Sequence, residues 1–246
     1  MDYHEESLIG SRERQEDASA IHVCEDGSGA LLLIADGMGG YEGGHVASSL
    51  AVRAFASDFL KPNRKSMRER VCQALAAAHE ALKERIRQDC ELEDMGTTLV
   101  AVAIRPNSLR WISLGDSPLF LLRNGRLRRL NDDHSYRPTL EFLRRTGRLS
   151  AEGARRDPRR HSLRLYLDGI RVPTKFDCPK TALRLRPGDR VLIASDGIWT
   201  LEPEKITTLL GRWHRASDCA AGLIEAVSSK ALTTQDNTTI QVAIVG

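Results

Sequence analysis

The spacing of hydrophobic residues in the first half of the chain predicts a buried strand followed by two helices. An apolar run at 30–35 ends in Asp36 and a glycine-rich stretch, which predicts a strand and then a turn. Apolar residues next recur every three or four positions over 45–60 and again from Met67 to Ile86, the pattern of amphipathic helices. A turn signal at 26–29 separates the strand from a shorter one before it.

The second half begins with strand-like runs joined by tight turns. The connections between runs in 97–130 are too short for crossovers, so these strands are predicted to be antiparallel, and Asn124-Gly125 is the strongest hairpin signal. Residues 131–178 form a long charged segment that we interpret as an insert or flap. The other predicted elements are strands at 18–24, 182–186, 190–195 and 238–245 and helices at 138–146, 150–157, 203–213 and 217–230. Because strands and helices are grouped rather than strictly alternating, the pattern favours an α+β fold.

Composition narrows the class of protein. The chain has 246 residues, 41% of them hydrophobic, with no linker-like tract, which favours a single domain over 1–246. Its polar N-terminus is unlike a signal peptide, and it has no apolar run long enough for a transmembrane helix, so we expect no membrane association. The odd number of scattered cysteines argues against disulfides or a zinc site and suggests a cytoplasmic setting. They are Cys24, Cys72, Cys90, Cys178 and Cys219.

The net charge of +3 is modest, but arginines crowd the stretch from Arg123 to Arg171. Such a stretch forms either a solvated basic surface or one that attracts anionic partners, with phosphorylated substrates ahead of nucleic acid. Aromatic residues make up only 5% of the chain and there is no nucleic-acid motif, so we expect no nucleic-acid partner.

Acidic residues stand repeatedly at the ends of predicted strands. They are Asp36, Asp116, Asp196, Asp236 and the pair Glu16-Asp17. Each alone could be a turn former or a helix N-cap. Together they suggest a cluster whose mutual repulsion requires protons or a cation. Ligands that are all oxygen suit Mg²⁺ or Mn²⁺.

The glycine-rich stretch after Asp36 matches none of three common ligand-binding motifs. It lacks the Gly-Lys-Ser/Thr of a P-loop, and Glu42 stands where a dinucleotide fingerprint needs its third glycine. Asp also does not recur at alternate positions as in an EF-hand loop.

Six short motifs are spread along the chain. They are Gly10-Ser11-Arg12 with Glu16-Asp17, Asp36-Gly37-Met38-Gly39-Gly40, Gly96-Thr97-Thr98, Gly115-Asp116-Ser117, Ser195-Asp196-Gly197-Ile198-Trp199 and Gln235-Asp236-Asn237-Thr238. Taken in this order, they resemble the metal-dependent protein phosphatases of the PPM (PP2C) family in its compact bacterial form. The resemblance runs from residue 10 to residue 238 and so covers nearly the whole chain.

The resemblance implies a four-layer sandwich, with two antiparallel sheets face to face and helices outside. It also implies two or three Mn²⁺ or Mg²⁺ ions and hydrolysis of phosphoserine or phosphothreonine by a hydroxide that two ions share. Arg12 would grip the substrate phosphate, although it could instead form a surface ion pair with Glu13 or Glu16. The implied ligands are Asp36 for both ions, Asp196 and Asp236 for the first, Glu16 or Asp17 with the carbonyl of Gly37 for the second, and Asp116 for a third.

Four positions differ from relatives or bear on the missing acid. Met38 stands where animal members carry a histidine that is a candidate general acid, so no protein acid is assigned. His45 is interpreted as a helical surface residue and His134 as a structural or flap-positioning one. Pro118 replaces an arginine common in relatives, which could alter the flap.

The sequence leads to one main hypothesis about the function of the protein and to two alternatives. The main one is a monomeric phosphatase acting on phosphorylated proteins, opposing a bacterial Ser/Thr kinase. One alternative is a pseudophosphatase that binds a phosphoprotein without catalysis. Another keeps the enzyme and changes its partner to an anti-sigma-factor antagonist or a secretion-system scaffold.

Overall fold

The computed structural model describes residues 1–24, 27, 29–40, 42–62 and 64–246, so part of the predicted turn at 26–29 lies outside the described residues. The strands are β1 (Asp2–Leu8), β2 (Asp17–Val23), β3 (Ala30–Met38), β4 (Gly96–Thr97), β5 (Leu99–Arg105), β6 (Ser108–Leu114), β7 (Leu119–Arg123), β8 (Arg126–Arg129), β9 (Leu183–Arg184), β10 (Arg190–Ala194) and β11 (Thr238–Ile244). The helices are α1 (Gly43–Phe59), α2 (Met67–Gln88), α3 (Arg137–Arg145), α4 (Ala151–Arg156), α5 (Pro203–Arg212) and α6 (Ala216–Ser228), with 3₁₀ turns at Cys90–Leu92 and Asp196–Thr200.

Two antiparallel sheets form the centre of the molecule. One has the order β1-β11-β10-β7-β8 and the other β2-β3-β5-β6-β9, with β4 added beside the end of β3. Apolar residues of both sheets, such as Ile34 and Ile193, pack together between them. Helices α1 and α2 cover the outer face of the second sheet, and α5 and α6 cover that of the first. The predicted α+β, four-layer sandwich is confirmed.

The sequence of β3 explains why this strand lies at the centre. Leu31 and Leu33 pack toward the helices, while Leu32 and Ile34 pack into the space between the sheets. A strand buried on both faces has a continuous apolar run rather than an alternating one. This is why its position could be predicted.

Local signals account for several element boundaries. Helix α2 begins with a capping box, in which the Ser66 hydroxyl accepts from the Glu69 N–H and the Glu69 carboxylate accepts from the Ser66 N–H. In the β7–β8 hairpin, Asn124 and Gly125 have φ values of 52° and 71°, as a type I′ turn requires. The hairpin was predicted from Asn124 and Gly125, whereas α2 was predicted from its apolar periodicity.

One strand extends beyond its predicted end, and another strand was not predicted at all. Strand β3 does not end at residue 35 but continues to Met38, because Asp36 pairs with Asp17 of β2 and Gly37 pairs with Thr97 of β4. Strand β1 was not predicted, since its residues are mostly polar. It is an edge strand that pairs along its whole length with β11.

Residues 131–178 are tied to the second sheet at several points. Besides α3 and α4, they form isolated bridges from Leu167 to Thr97 and from Asp177 to Ser113. The segment is therefore fastened to the end of the sheet where β4 lies. Of the helices in the described residues, none combines the length and the apolar character needed to cross a membrane.

Candidate functional site

The predicted acidic residues gather around one cavity of about 490 Å³. It lies at the end of the sandwich where β3, β6 and β10 finish and β11 begins. Its lining residues are Arg12, Glu16, Asp36, Gly37, Met38, Gly39, Thr98, Asp116, His161, Ser162, Leu163, Asp196, Asp236 and Asn237. Asp17 is not among them.

The strand pairing brings the carboxylates together. Asp17 begins β2 and lies directly opposite Asp36 near the end of the antiparallel neighbour β3. Asp196 follows β10 and Asp236 precedes β11, and these two strands are also antiparallel neighbours, so both residues are at the same edge. Asp116 follows β6 after Gly115, whose φ of +98° turns the chain. Antiparallel pairing therefore places residues from distant parts of the sequence at one end.

Gly37 is required by close packing. A Cβ at this position would lie 2.0 Å from the Gly44 carbonyl oxygen and 2.7 Å from that of Glu16. No side chain fits there, because heavy atoms do not approach so closely. The glycine lets the start of α1 pack against the strand and leaves the backbone of Gly37 exposed to the cavity.

Asp17 is buried behind the cavity. Its Oδ2 accepts a 2.7 Å hydrogen bond from the Ser195 hydroxyl, while its Oδ1 is buried with no hydrogen-bond partner in the described residues. Burial raises the pKa of Asp17 to about 6, and the hydrogen bond from Ser195 opposes that rise. A buried carboxylate oxygen without a partner is costly, so this group is suited to accept a further ligand.

Asp36 and Asp196 form no ion pair in the described residues, although the charge of Arg137 acts to lower the pKa of Asp196. Desolvation, and then the charges of Asp17 and Asp196, raise the pKa of Asp36 well above its usual range. Desolvation, and then the charges of Asp116 and Asp236, raise the pKa of Asp196 to about 7. Desolvation also raises the pKa of Glu16. This is the repulsion that the sequence predicted for clustered carboxylates.

Two other carboxylates hold arginines. The Arg12 guanidinium donates to Asp236 Oδ2 at 2.7 Å, in a pair that is open to solvent. Arg12 forms no ion pair with Glu13 or Glu16, which the sequence offered as alternative partners. The Arg137 guanidinium donates to Asp116 Oδ2, also at 2.7 Å, but both of these side chains are largely buried.

The structure also places the histidines. His45 is exposed and its Nδ1 is 3.2 Å from the Gln15 carbonyl oxygen, outside the cavity lining. The backbone N–H of His134 donates to the Gly115 carbonyl, next to Asp116. His161, which sequence reasoning missed, lines the cavity beside Met38. It belongs to residues 131–178, and no local pattern marks it as part of the site.

The lining residues have the chemistry of ligands for divalent cations, but their side chains are not yet arranged as a coordination site. The donors are all oxygen, they repel one another, and Asp17 Oδ1 lacks a partner. Within the described residues, however, no group of three or more His, Cys, Asp or Glu side chains is arranged to hold a metal ion as it stands. Two of the carboxylates are bonded to arginines and Asp17 is bonded to Ser195, so these side chains would have to reorient.

Comparisons with known proteins agree with the fold and the motifs. The model of the family described as protein phosphatase 2C matches residues 6–233. The serine/threonine phosphatase stp of Listeria welshimeri is 30% identical over 197 residues, which is 78% of this chain and 75% of that protein. The serine/threonine protein phosphatase PstP of Mycobacterium tuberculosis is 35% identical over 169 residues, 68% of this chain. That match spans only 31% of PstP, about a third of its length.

Solved structures show the same architecture. The crystal structure of the catalytic domain of PstP in complex with two manganese ions aligns with a TM-score of 0.80 at 29% identity. The alignment covers 99% of this chain and 98% of that one. With the family model matched over most of the chain, the conclusion is direct: the chain belongs to the protein phosphatase 2C family.

Proposed function

We propose that this protein is a metal-dependent phosphatase that hydrolyses phosphoserine and phosphothreonine in proteins. The observation that carries the proposal is the cavity at one end of the sandwich. It joins Asp36, Asp196 and Asp236 with Glu16 and has the guanidinium of Arg12 among its lining groups. Clustered carboxylates bind cations, and an exposed arginine binds phosphate.

The chain's own oxygen atoms would hold two ions. Asp36 would contact both, Asp196 and Asp236 the first, and Glu16 or Asp17 with the Gly37 carbonyl the second. The partnerless Oδ1 of Asp17 supports this assignment, as does the manganese-bound structure of PstP. When bound, a pair of divalent cations supplies a water of lowered pKa as the nucleophile.

Arg12 would bind and orient the substrate. Its planar guanidinium can donate two parallel hydrogen bonds to phosphate oxygens, a geometry that the ammonium of a lysine matches less well. The hydrogen bond to Asp236 keeps the guanidinium at the cavity. Met38 offers no proton to the departing oxygen, so the side chain at this position does not act as an acid.

We also propose a domain organisation and a cellular setting for the protein. Residues 1–246 would form one catalytic domain in which residues 131–178 act as a flap, since His161 to Leu163 of this segment form one wall of the cavity. The protein would be a cytoplasmic monomer opposing a Ser/Thr kinase. The relatives PstP and stp are both serine/threonine phosphatases, which supports this setting.

The flap is also proposed to select acidic phosphopeptides. Arg155 and Arg156 both contact Glu152, and Arg159 pairs with Asp157 at 2.8 Å. Arg160, next to His161, has no such ion pair within the described residues. Arg160→Glu is therefore expected to raise KM for an acidic phosphopeptide more than Arg155→Glu does, and equal effects would contradict this part of the proposal.

A phosphopeptide assay with metal titration tests the activity. Phosphate release from phosphoserine and phosphothreonine peptides should rise with Mn²⁺ or Mg²⁺ and cease with a chelator. The same loss is expected for p-nitrophenyl phosphate. Activity that persists at full size after chelation would overturn the mechanism. Tight binding of the phosphopeptide without hydrolysis would favour the pseudophosphatase alternative.

A further inference from the structure

Asp116 differs from the other carboxylates of the cavity because it belongs to a buried ion-pair network. The Arg137 guanidinium donates to Asp116 Oδ2 at 2.7 Å, and the two side chains are only 13% and 4% exposed. The same guanidinium lies 3.3 Å from Asp133 Oδ2 through its Nε and 5.3 Å from the centre of the Trp199 ring. Three groups from separate parts of the chain thus fix the position of Arg137.

A second arginine completes the network. Arg129 donates to Asp133 Oδ2 at 3.1 Å and to the Asp116 carbonyl oxygen at 2.9 Å. Its guanidinium also lies 5.8 Å from the Trp199 ring centre. Two arginines and two aspartates therefore make up the hydrogen-bonded network, whose own formal charges balance, and the charge of Arg137 also acts on Asp196.

A buried arginine in such a network resists displacement. Short N⁺–H···O⁻ contacts are the strong class of hydrogen bond, and breaking a buried pair leaves an uncompensated charge. A cation that bound Asp116 Oδ2 would displace Arg137 and leave that guanidinium with Asp133, which Arg129 already neutralises. The like charges of two adjacent arginines and the cation would oppose this arrangement.

We propose that Arg137 takes the place of a third cation at Asp116, so that this chain binds two metal ions at the cavity rather than three. The inference rests on the proposed function, since it presumes that the other carboxylates bind ions. It assigns Arg137 as a positioning residue that supplies a fixed positive charge. Because Arg137 is the first residue of α3, it also fastens residues 131–178 to the site.

Counting bound Mn²⁺ tests the proposal without measuring activity. Equilibrium dialysis against rising Mn²⁺, with elemental analysis of the protein and electron paramagnetic resonance of the free ion, gives the number of ions per chain. Two ions are expected for the native chain and three for Arg137→Gln. The third should disappear again in the double variant Arg137→Gln, Asp116→Asn. Arg145→Gln is the matched control, because Arg145 is an exposed arginine of the same helix and should leave the count at two.

Each outcome has a defined meaning. Three ions on the native chain would overturn the inference while leaving the proposed function intact. Two ions on a folded Arg137→Gln variant would show that the arginine does not decide the count, which also overturns the inference. No bound ion on the native chain would overturn the inference and the proposed function together. The native count stands even if the variants fold poorly, and thermal unfolding shows whether they do.

Discussion

Asp116 and Asp196 each follow a strand and line the same cavity, yet the protein neutralises only one of them. Asp116 is bonded to a buried arginine. Asp196, like Asp36, forms no ion pair in the described residues, and desolvation and neighbouring carboxylates outweigh the charge of Arg137 and raise its pKa to about 7. The two halves of the site therefore differ in how far the charges of their carboxylates are compensated. Burial raises the pKa of Asp116 as well, but Arg137 and Arg129 oppose that rise. Asp17, Asp36 and Asp196 instead raise one another's pKa, and a bound cation would relieve this repulsion.

The largest effect is expected from Asp36→Asn. The variant keeps the shape of the side chain but removes the charge expected to contact both ions. Loss of several kcal/mol of transition-state stabilisation corresponds to a fall of about 10³-fold or more in kcat. Phosphopeptide hydrolysis at saturating Mn²⁺ measures this. Asp218→Asn, at an exposed carboxylate on α6, is the control and should retain full activity. A fall of less than about tenfold for Asp36→Asn would remove Asp36 from the proposed centre.

Two equivalent Asp→Asn substitutions are expected to change the free energy of unfolding of the metal-free protein in opposite directions. Asp116→Asn leaves Arg137 buried without its carboxylate, so it should lower the free energy of unfolding by about 3 kcal/mol. Asp196→Asn removes one of several repelling charges, so it should raise that free energy, by about 1 kcal/mol. Urea unfolding in the presence of a chelator measures both. If the two variants shift stability in the same direction, the distinction between the halves is wrong.

Stability of the metal-free protein should also depend on pH. The folded-state pKa values of Asp17 and Asp196 are raised from 3.8 to about 6 and about 7. The folded state thus binds more protons than the unfolded state, and this contribution is present in full below about pH 4 and lost as the pH rises through 6 and 7. The free energy of unfolding should therefore fall by a few kcal/mol between pH 4 and pH 8.

Bound ions should flatten this dependence. Ligation favours the ionised carboxylates, so saturating Mn²⁺ should stabilise the protein most at the alkaline end of the range. Asp133, whose pKa is lowered, acts with the opposite sign but only below about pH 4. Urea unfolding at pH 5 and pH 8, with chelator and with Mn²⁺, gives the four values needed. Metal-free stability that increases with pH over this window would contradict the assigned repulsion.

The sequence predicted the uncompensated half of the site better than the compensated half. Asp36 and Asp196 flank apolar runs, and strand ends are where antiparallel pairing gathers residues from distant parts of a chain. That Asp17 lies opposite Asp36 within a continuing strand could not be foreseen, because register is set by long-range pairing rather than by local pattern.

The partner of Asp116 had no sequence signal. Arg137 lies 21 residues further along, at the start of a short helix inside a segment crowded with arginines. Nothing in the local pattern separates this arginine from its exposed neighbours, such as Arg145. Strand β1 was missed for a related reason: its polar residues show no strand period, and its pairing with β11 spans most of the chain.

The smallest effect on stability, with a moderate effect on activity, is expected at Arg12. The Arg12–Asp236 pair is about half exposed, and exposed ion pairs contribute about 0–1 kcal/mol, so Arg12→Ala should hardly change the free energy of unfolding. If Arg12 binds the substrate phosphate, the Arg12→Ala variant loses a charge-assisted hydrogen bond worth about 1.5–3 kcal/mol, and its kcat/KM should fall by about 10- to 100-fold. Arg12→Lys should recover only part of this, because an ammonium cannot form the bidentate contact. Arg14→Ala is the matched control, since Arg14 lies in the same loop and forms a similarly exposed pair with Glu42 at 3.2 Å. Equal kcat/KM values for the Arg12→Ala and Arg14→Ala proteins would reduce Arg12 to a surface ion pair.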